Sequence, residues 1–357
     1  MGQDLTTAGD RTAVRRASVS VADFVQDGLV APADAAGLEL VAAGFKLRMT
    51  AAMRQAVAAS RDPVAAQFVP DVRELQTRPE ELADPIGDDS YLAAPGLTHR
   101  YPDRAILHVT RSCEVYCRFC FRREVVGEEG PLPAEDLEQA FAYIAATPAL
   151  REIILTGGDP LTLSPRRLGL VMARLAAIPH VETLRLHTRI PVVAPERITP
   201  ALLQALAVRP AVWIVLHTNH AQELTPEAGR ALARLADAGL PLLSQSVLLK
   251  GINNSVTALA DLFRALIAHR VKPYYLHHCD LAKGTHHFRT TIAEGRALMR
   301  QLRGRLSGTC LPSYVLDIPG GHGKVPITAD YFRPLGPGLW QVEDWQGGTH
   351  LYRDPAD

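Results

Sequence analysis

"AILHVTRSCEVYCRFCFRR", residues 105–123, joins a short apolar run to a cluster of cysteines. The run, Ala105–Thr110, has the length of one buried strand. The segment after it holds three of the chain's five cysteines, Cys113, Cys117 and Cys120, spaced C-x3-C-x2-C. A disulfide takes two thiols, and a closed structural zinc site takes four ligands. Three thiols on one loop leave a fourth position open. The remaining cysteines, Cys279 and Cys310, are single and far apart. That usage fits a reducing cytoplasm, where clustered thiols mean metal or catalysis.

The apolar run recurs along the chain. "EIILT" (Glu152–Thr156), "TLRLHT" (Thr183–Thr188), "VWIVLHT" (Val212–Thr218), "LLSQSVLL" (Leu242–Leu249) and "KPYYLH" (Lys272–His277) follow it. Between them lie helical patterns at Ala134–Ala146, Ser164–Ala177 and Thr225–Gly239. The last has Thr225 to cap it, Pro226 in the first turn and Gly239 just past its end. Repeats of roughly 30 residues predict a parallel sheet. Right-handed crossovers curl such a sheet into an open or closed barrel. The class expected is therefore α/β, with a partial (β/α)6 barrel. Before residue 100 no convincing strand is visible. That part predicts short helices over 21–29, 32–43 and 48–60, then an ordered loop or linker from Arg78 to Gly96. The organisation expected is a helical N-terminal region (1–100), a barrel (101–310) and a C-terminal segment (311–357).

Each predicted strand ends at residues capable of chemistry. After the first comes the cysteine loop, and after the second Gly157-Gly158-Asp159. The third ends at His187 and Arg189, the fourth at His217 and Asn219. The fifth carries Gln245, and Asp280 follows the sixth. Parallel α/β folds build their sites at the carboxyl ends of their strands.

Composition narrows the class of partner. The 357 residues suit one large α/β barrel or two modest domains, and 47% are hydrophobic, enough for a sizeable core. Lys+Arg and Asp+Glu balance at 38 each, so no basic surplus points to nucleic acid. No apolar run approaches the roughly 20 residues of a membrane helix. Asp4, Asp10 and Arg11 interrupt any signal-peptide core, and the match of Gly2 to Thr6 with a myristoylation pattern is taken as chance. A cytoplasmic protein without nucleic-acid or membrane partners is expected.

Three readings of the thiols compete. Buried structural cysteines are common singly, not three in eight residues. Structural zinc needs a fourth ligand, which His108, Cys279, Cys310 or a later histidine would have to supply. Zinc ribbons and knuckles pair two C-x2-C units, and only one stands here. A cubane [4Fe–4S] cluster held by three thiolates leaves one iron open to a small molecule. Cys113, Cys117 and Cys120 after a first barrel strand, with Phe119 before the last cysteine, resemble the radical S-adenosylmethionine superfamily. That resemblance implies that the open iron holds the amino and carboxylate groups of S-adenosylmethionine, whose one-electron cleavage yields a 5′-deoxyadenosyl radical. Gly157-Gly158-Asp159 resembles the superfamily's "GGE"-type element, although alone it is an ordinary Gly-Gly turn. Bare glycines would let the backbone approach the methionine moiety.

"YVLDIPGGHGKVPI" (Tyr314–Ile327) places one lysine, Lys324, on a glycine loop. A phosphate-loop pattern fails, because Val325 stands where Ser or Thr is required. A surface lysine on a turn is the simpler reading, and a Schiff-base lysine for pyridoxal 5′-phosphate the sharper one. From about Phe45 to Ile327 the chain resembles the lysine 2,3-aminomutase family. The resemblance is carried by "LTHRYPDR" (Leu97–Arg104), "CEVYCRFCFRR" (Cys113–Arg123), "TGGDPL" (Thr156–Leu161), "QSVLLKGINN" (Gln245–Asn254), "KPYYLHHCD" (Lys272–Asp280) and "YVLDIPGGHGK" (Tyr314–Lys324). It implies that Lys324 bonds pyridoxal phosphate, which Arg100, Tyr101 and Arg104 hold. It implies further that His217 and Gln245 contact S-adenosylmethionine beside Gly157, Gly158 and Asp159. Arg122 would pair with the substrate carboxylate, and Asp280 and Asp317 would embrace the ε-ammonium of lysine. Read without the family, these are loop charges, hydrogen-bonded core residues and caps. Two unpaired carboxylates would repel a glutamate side chain.

The implied reaction is an isomerisation. The radical removes a β-hydrogen, nitrogen migrates from Cα to Cβ, and β-lysine leaves with S-adenosylmethionine regenerated. An electron donor such as flavodoxin or ferredoxin is the expected protein partner. Ser255 stands where the longer fermentative enzymes carry a zinc cysteine, and no cysteine follows Cys310. A homo-oligomer without the interfacial zinc is therefore expected. The chain length and His277 lean toward relatives that supply β-lysine to elongation factor P, whereas "DIPGGHGK" leans toward the free-lysine enzymes. The alternatives are a glutamate aminomutase and a non-enzymatic iron–sulfur or zinc-binding regulator. Intact Lys324, Asp280 and Asp317 argue against a regulator.

Overall fold

A computed structural model describes residues 17–127 and 130–355. The Gly2–Thr6 match and the charges near the N-terminus lie outside them. Ten strands form one sheet in chain order. They are β1 (Leu92–Ala94), β2 (Leu97–Tyr101), β3 (Arg104–Thr110), β4 (Glu152–Gly157), β5 (Thr183–Thr188), β6 (Ala211–His217), β7 (Leu242–Leu248), β8 (Lys272–His278), β9 (Ser313–Asp317) and β10 (Lys324–Pro326). From β3 to β9 every neighbouring pair is parallel. The six strands expected from sequence are β3 to β8, each within a residue of its predicted ends, and β9 adds a seventh parallel strand. The sheet ends at β1 and β10, which do not pair with each other, so the barrel is open.

Local chemistry explains the alternation of strand and helix. Helices Pro165–Ala176, Pro226–Asp237 and Val256–Ala268 start on Ser164, Thr225 and Ser255, each accepting a backbone N–H three residues on. Their apolar stripes are buried: Leu168, Val171, Met172 and Leu175 of the first join one core with Leu155 of β4 and Leu184 of β5. Along β7 burial alternates at every residue, as a strand with one face to a packed core and the other to a cavity requires. No described helix is long and apolar enough to cross a membrane.

Several N-terminal expectations need correction. The helices there are Val21–Gln26, Ala35–Gly44 after a tight turn at Pro32–Asp34, and Ala51–Ala56. The last stops well before Ser60, because Asp62 captures the N–H groups of Ala58 (2.6 Å) and Ala59 (3.3 Å). Strands β1 and β2 fall where no strand was expected. They form a hairpin around Gly96, whose φ of 69° suits glycine. Three- and five-residue strands carry too little periodicity to be read alone. At the other end a separate antiparallel sheet, β11 (Phe332–Gly336), β12 (Leu339–Glu343) and β13 (Thr349–Arg353), was not anticipated.

Buried charge ties the N-terminal segment to the cysteine loop. Arg118, between two of the cysteines, is 2% exposed and Glu74 is 2% exposed. Arg118 donates from Nε (3.0 Å) and Nη2 (2.5 Å) to that carboxylate and from Nη1 to Lys46 O (2.9 Å). Arg123 closes on the same Glu74 oxygen. Burial alone would raise the Glu74 pKa, yet the two guanidiniums hold it below the usual carboxylate range. A buried pair is costly to break from one side only, because the survivor is stranded. Glu74→Gln is expected to lower unfolding free energy by about 3–5 kcal/mol. The fall should register as a lower urea midpoint with unchanged slope, and an unchanged midpoint would refute the role given to this ion cluster.

Candidate active site

The cysteine loop leaves β3 and is pressed onto the end of β4. Gly158 N donates to Thr110 O (2.6 Å) and Asp159 N to Ser112 O (2.9 Å). Gly157 has φ 110°, and a Cβ there would lie 2.5 Å from Thr110 O. A Cβ on Gly158 would overlap Ser112 O. Both glycines are thus required by backbone-to-backbone packing within the protein. The carboxylate of Asp159 is taken up in the same seam. It accepts from Thr188 Oγ1 (2.7 Å), Arg189 N (2.6 Å) and Leu161 N (3.0 Å). Burial outweighs these bonds and pushes its pKa up to about 6.

The three thiols are unpaired by disulfides and partly buried. Burial, then Asp159 and the neighbouring cysteines, raise the Cys113 pKa well above the ordinary thiol value. Burial and the charge of Cys117 push Cys120 up to about 11. Three thiolates here would repel one another and their surroundings, so ionising all of them requires cationic charge at their centre. No described trio of Cys, His, Asp or Glu converges tightly enough to hold one metal ion. Three thiolates that each bind a different iron need no such convergence. Three thiols on one loop are a donor set that can hold a [4Fe–4S] cluster with one iron left open.

His217 ends β6 and stands in register with Gln245 of β7. Its ring stacks on Phe119 at 5.7 Å and 15°. Burial, helped by the Arg189 charge, drives its pKa well below the ordinary imidazole value, so the ring is neutral.

The β2–β3 turn supplies a cationic wall. Arg100 donates to Ile86 O (2.5 Å) and faces Asp88 Oδ1 (3.3 Å). Arg104 pairs with Asp103 (2.7 Å) and lies 3.8 Å over the Tyr101 ring. Tyr101 Oη accepts from the backbone N–H of Lys324 (3.0 Å), tying this wall to the start of β10. Arg122 meets Asp88 at 2.8 Å. Asp88 therefore bridges Arg122 and Arg100. Burial would raise its pKa, but Arg122 and its other neighbours lower it, so it stays ionised.

At the far wall Lys324 Nζ lies 2.5 Å from Asp317 Oδ1, across the β9–β10 pair that sets these residues opposite each other. His277 Nδ1 lies 3.0 Å from Asp317 Oδ2. Burial opposes ionisation of Asp317, yet His277 and Lys324 bring its pKa down to about 2. Asp280 borders the cavity and is otherwise enclosed. Burial and the charge of Asp317 push its pKa up to about 7. Two acids on one wall are thus split, one firmly ionised and one poised near neutrality.

All of these groups meet in one cavity of about 640 Å³. It is lined by Cys113, Cys117 and Cys120; by Gly157, Gly158 and Asp159; by Arg100, Tyr101, Arg104 and Arg122; and by His217, Gln245, Asp280, Asp317 and Lys324. The residues assigned to cluster, cofactor or substrate from the sequence all line this space, whereas Asn219 lies outside it. Three that support it were missed, namely Gln67, Asp88 and Glu223. Asp88 sits in the Pro/Asp-rich stretch read as a linker, and its acid pair with Asp89 between Gly87 and Ser90 was the only signal. Gln67 and Glu223 carried none.

Residues 107–263 match the model of the radical SAM superfamily. The chain is 42% identical over 298 residues to the L-lysine 2,3-aminomutase of Fusobacterium nucleatum subsp. nucleatum, covering 83% of this chain and 70% of that protein. It is 42% identical over 297 residues to the L-lysine 2,3-aminomutase of Clostridium subterminale, covering 83% and 71%. It is 38% identical over 287 residues to the glutamate 2,3-aminomutase of Clostridioides difficile, covering 80% and 68%. A parallel open barrel with its cysteine loop, cavity and far-wall lysine, together with this likeness over most of both chains, places the chain in the lysine 2,3-aminomutase family of radical SAM enzymes.

Proposed function

We propose that this chain is an isomerase that moves the α-amino group of L-lysine to Cβ, giving β-lysine. The observation that supports it is the composition of this one cavity: three thiols, a lysine beside two acids, and arginines. Cys113, Cys117 and Cys120 would hold a [4Fe–4S] cluster, His217 and Gln245 S-adenosylmethionine, and Lys324, Arg100, Tyr101 and Arg104 pyridoxal phosphate. When bound, these groups supply an electron, a carbon radical that abstracts hydrogen, and a carrier for the migrating nitrogen. The chain's own side chains do the rest.

Arg100 and Arg104 present guanidinium forks matched to phosphate oxygens. Arg122, steadied by Asp88, is the cation for the substrate carboxylate. Asp317 now holds the ammonium of Lys324. The ε-ammonium of lysine would be a second cation on this wall, shared between Asp317 and Asp280. A glutamate side chain would add a third carboxylate to the same wall. The neutral rings of His217 and His277 place no competing charge in the cavity.

Lys324→Ala tests the assignment most directly. After anaerobic reconstitution, the wild type is expected to show an iron–sulfur absorption and a separate Schiff-base band and to convert L-lysine to β-lysine. The variant should keep the first, lose the second and lose turnover. Turnover of L-glutamate in preference to L-lysine by the wild type would overturn the roles of Asp280 and Asp317.

The split acids predict a pH dependence. Below about pH 7 Asp280 is protonated and a poor partner for an ammonium; above it Asp280 is an anion. The lysine ε-ammonium stays charged throughout this range. KM for L-lysine is therefore expected to fall about tenfold from pH 6 to pH 8, since each unit below a pKa reduces the ionised fraction about tenfold. Asp280→Asn should flatten that profile. It should also raise KM at pH 8 by roughly 30-fold, the equivalent of about 2 kcal/mol for one lost partner of a buried charge pair. A profile that survives in the variant would remove Asp280 from substrate binding.

A further inference from the structure

Arg189 follows β5 and is 6% exposed. Its guanidinium is fixed from several sides. Nη1 lies 2.7 Å from Cys117 Sγ, and Nη2 lies 2.6 Å from both Gln67 Oε1 and Glu223 Oε2. The rings of Phe68 and Phe119 flank it at 4.7 Å and 5.7 Å. Its backbone N–H is spent on Asp159. Glu223 is held in turn by the N–H groups of Asn219 and His220 (2.9 Å each) and by Gln67 Nε2 (2.9 Å). The guanidinium therefore cannot swing away. It directs one N–H at a single sulfur of the three.

The consequence is electrostatic. Hydrogen bonds to cluster sulfurs and nearby net charge are main determinants of iron–sulfur potentials. A cation against a thiolate, in a buried place of low dielectric, stabilises the form that carries the extra electron. Glu223 acts in the opposite sense from farther away. We propose that Arg189 is a positioning residue that raises the reduction potential of the cluster held by Cys113, Cys117 and Cys120, through its hydrogen bond to Cys117, with Gln67 and Glu223 fixing its orientation. This inference rests on the cluster reading above. The electron that reduces the cluster by one unit comes from an external low-potential donor. Arg189 supplies none and changes only how readily it is accepted.

The test is a reductive titration of the anaerobically reconstituted full chain with dithionite, following the paramagnetic signal of the reduced cluster. Arg189→Gln is expected to make reduction about tenfold less favourable, a midpoint about 59 mV lower for one electron. Arg189→Lys keeps the charge but not the fork, and should fall between that variant and the wild type. Glu223→Gln keeps the shape and removes the opposing anion, so its midpoint should rise. Opposite signs for Arg189→Gln and Glu223→Gln are what a merely structural strut would not give. Equal midpoints in all four proteins, or shifts of one sign for both substitutions, would overturn the proposal. If Arg189→Gln fails to take up a cluster, the rise in Glu223→Gln and the intermediate value in Arg189→Lys remain required. A wild type that binds no cluster would overturn the cluster reading itself, and this inference with it.

Discussion

No side chain fits where the end of β4 meets the cysteine loop. The carbonyls of Thr110 and Ser112 occupy the space that a Cβ on Gly157 or Gly158 would need. Two backbone hydrogen bonds run across that seam. A loop with three thiols would otherwise be free to drift, since loops carry few buried contacts of their own. Here its start is clamped to the sheet by a contact that tolerates no substituent. Asp159 then carries the clamp sideways, because its carboxylate fixes Thr188, the last residue of β5, and Arg189 just after it. The position of the sulfurs, and of the guanidinium beside Cys117, therefore follows from two glycines.

Charge completes what the seam begins. The loop contributes Arg118, Arg122 and Arg123, and the end of β5 contributes Arg189. Each is answered by an acid from elsewhere in the chain. Glu74 takes Arg118 and Arg123, Asp88 takes Arg122, and Glu223 takes Arg189. Two of these acids lie before β1, so the N-terminal segment is part of the site. Its helices also share one apolar core with the barrel, from Val21 and Phe24 to Leu155 and Leu184. Removing that segment would leave cations without partners beside the thiols.

What could be read from sequence follows from the range of the interactions. The parallel strands were legible because each is a continuous apolar run with a turn and a helix around it. The cysteines were legible because three thiols in tight spacing are rare, whereas Lys324 stood out only through the family resemblance of its glycine loop. The hairpin β1–β2 was not, because strands of three and five residues carry no period. Gln67, Asp88 and Glu223 were not legible either. An acid in a sequence reads as a solvated surface charge unless its partner is known. The partner of Glu74 is 44 residues away and that of Glu223 is 34 residues away. The glycines were noticed for a different reason than the one the structure gives. Sequence suggested close approach of the backbone to a ligand, and the structure adds that Thr110 and Ser112 fill the space a Cβ would need.

The far wall shows how the same elements make a site responsive. Asp317 is buried and Asp280 half-buried, and their environments push them apart. His277 and Lys324 offset the lost solvation of Asp317, whereas Asp280 has no hydrogen bond or ion pair of that kind among the described residues. An acid left so poised is stabilised by whatever cation arrives beside it. Lys324 cannot be that cation for both, since its ammonium is already engaged by Asp317. The wall therefore sets two carboxylates against one lysine ammonium. Under the reading proposed above, the terminal ammonium of a substrate with a long aliphatic stem would be the second cation, whereas an anionic side chain would add a third carboxylate to the same wall.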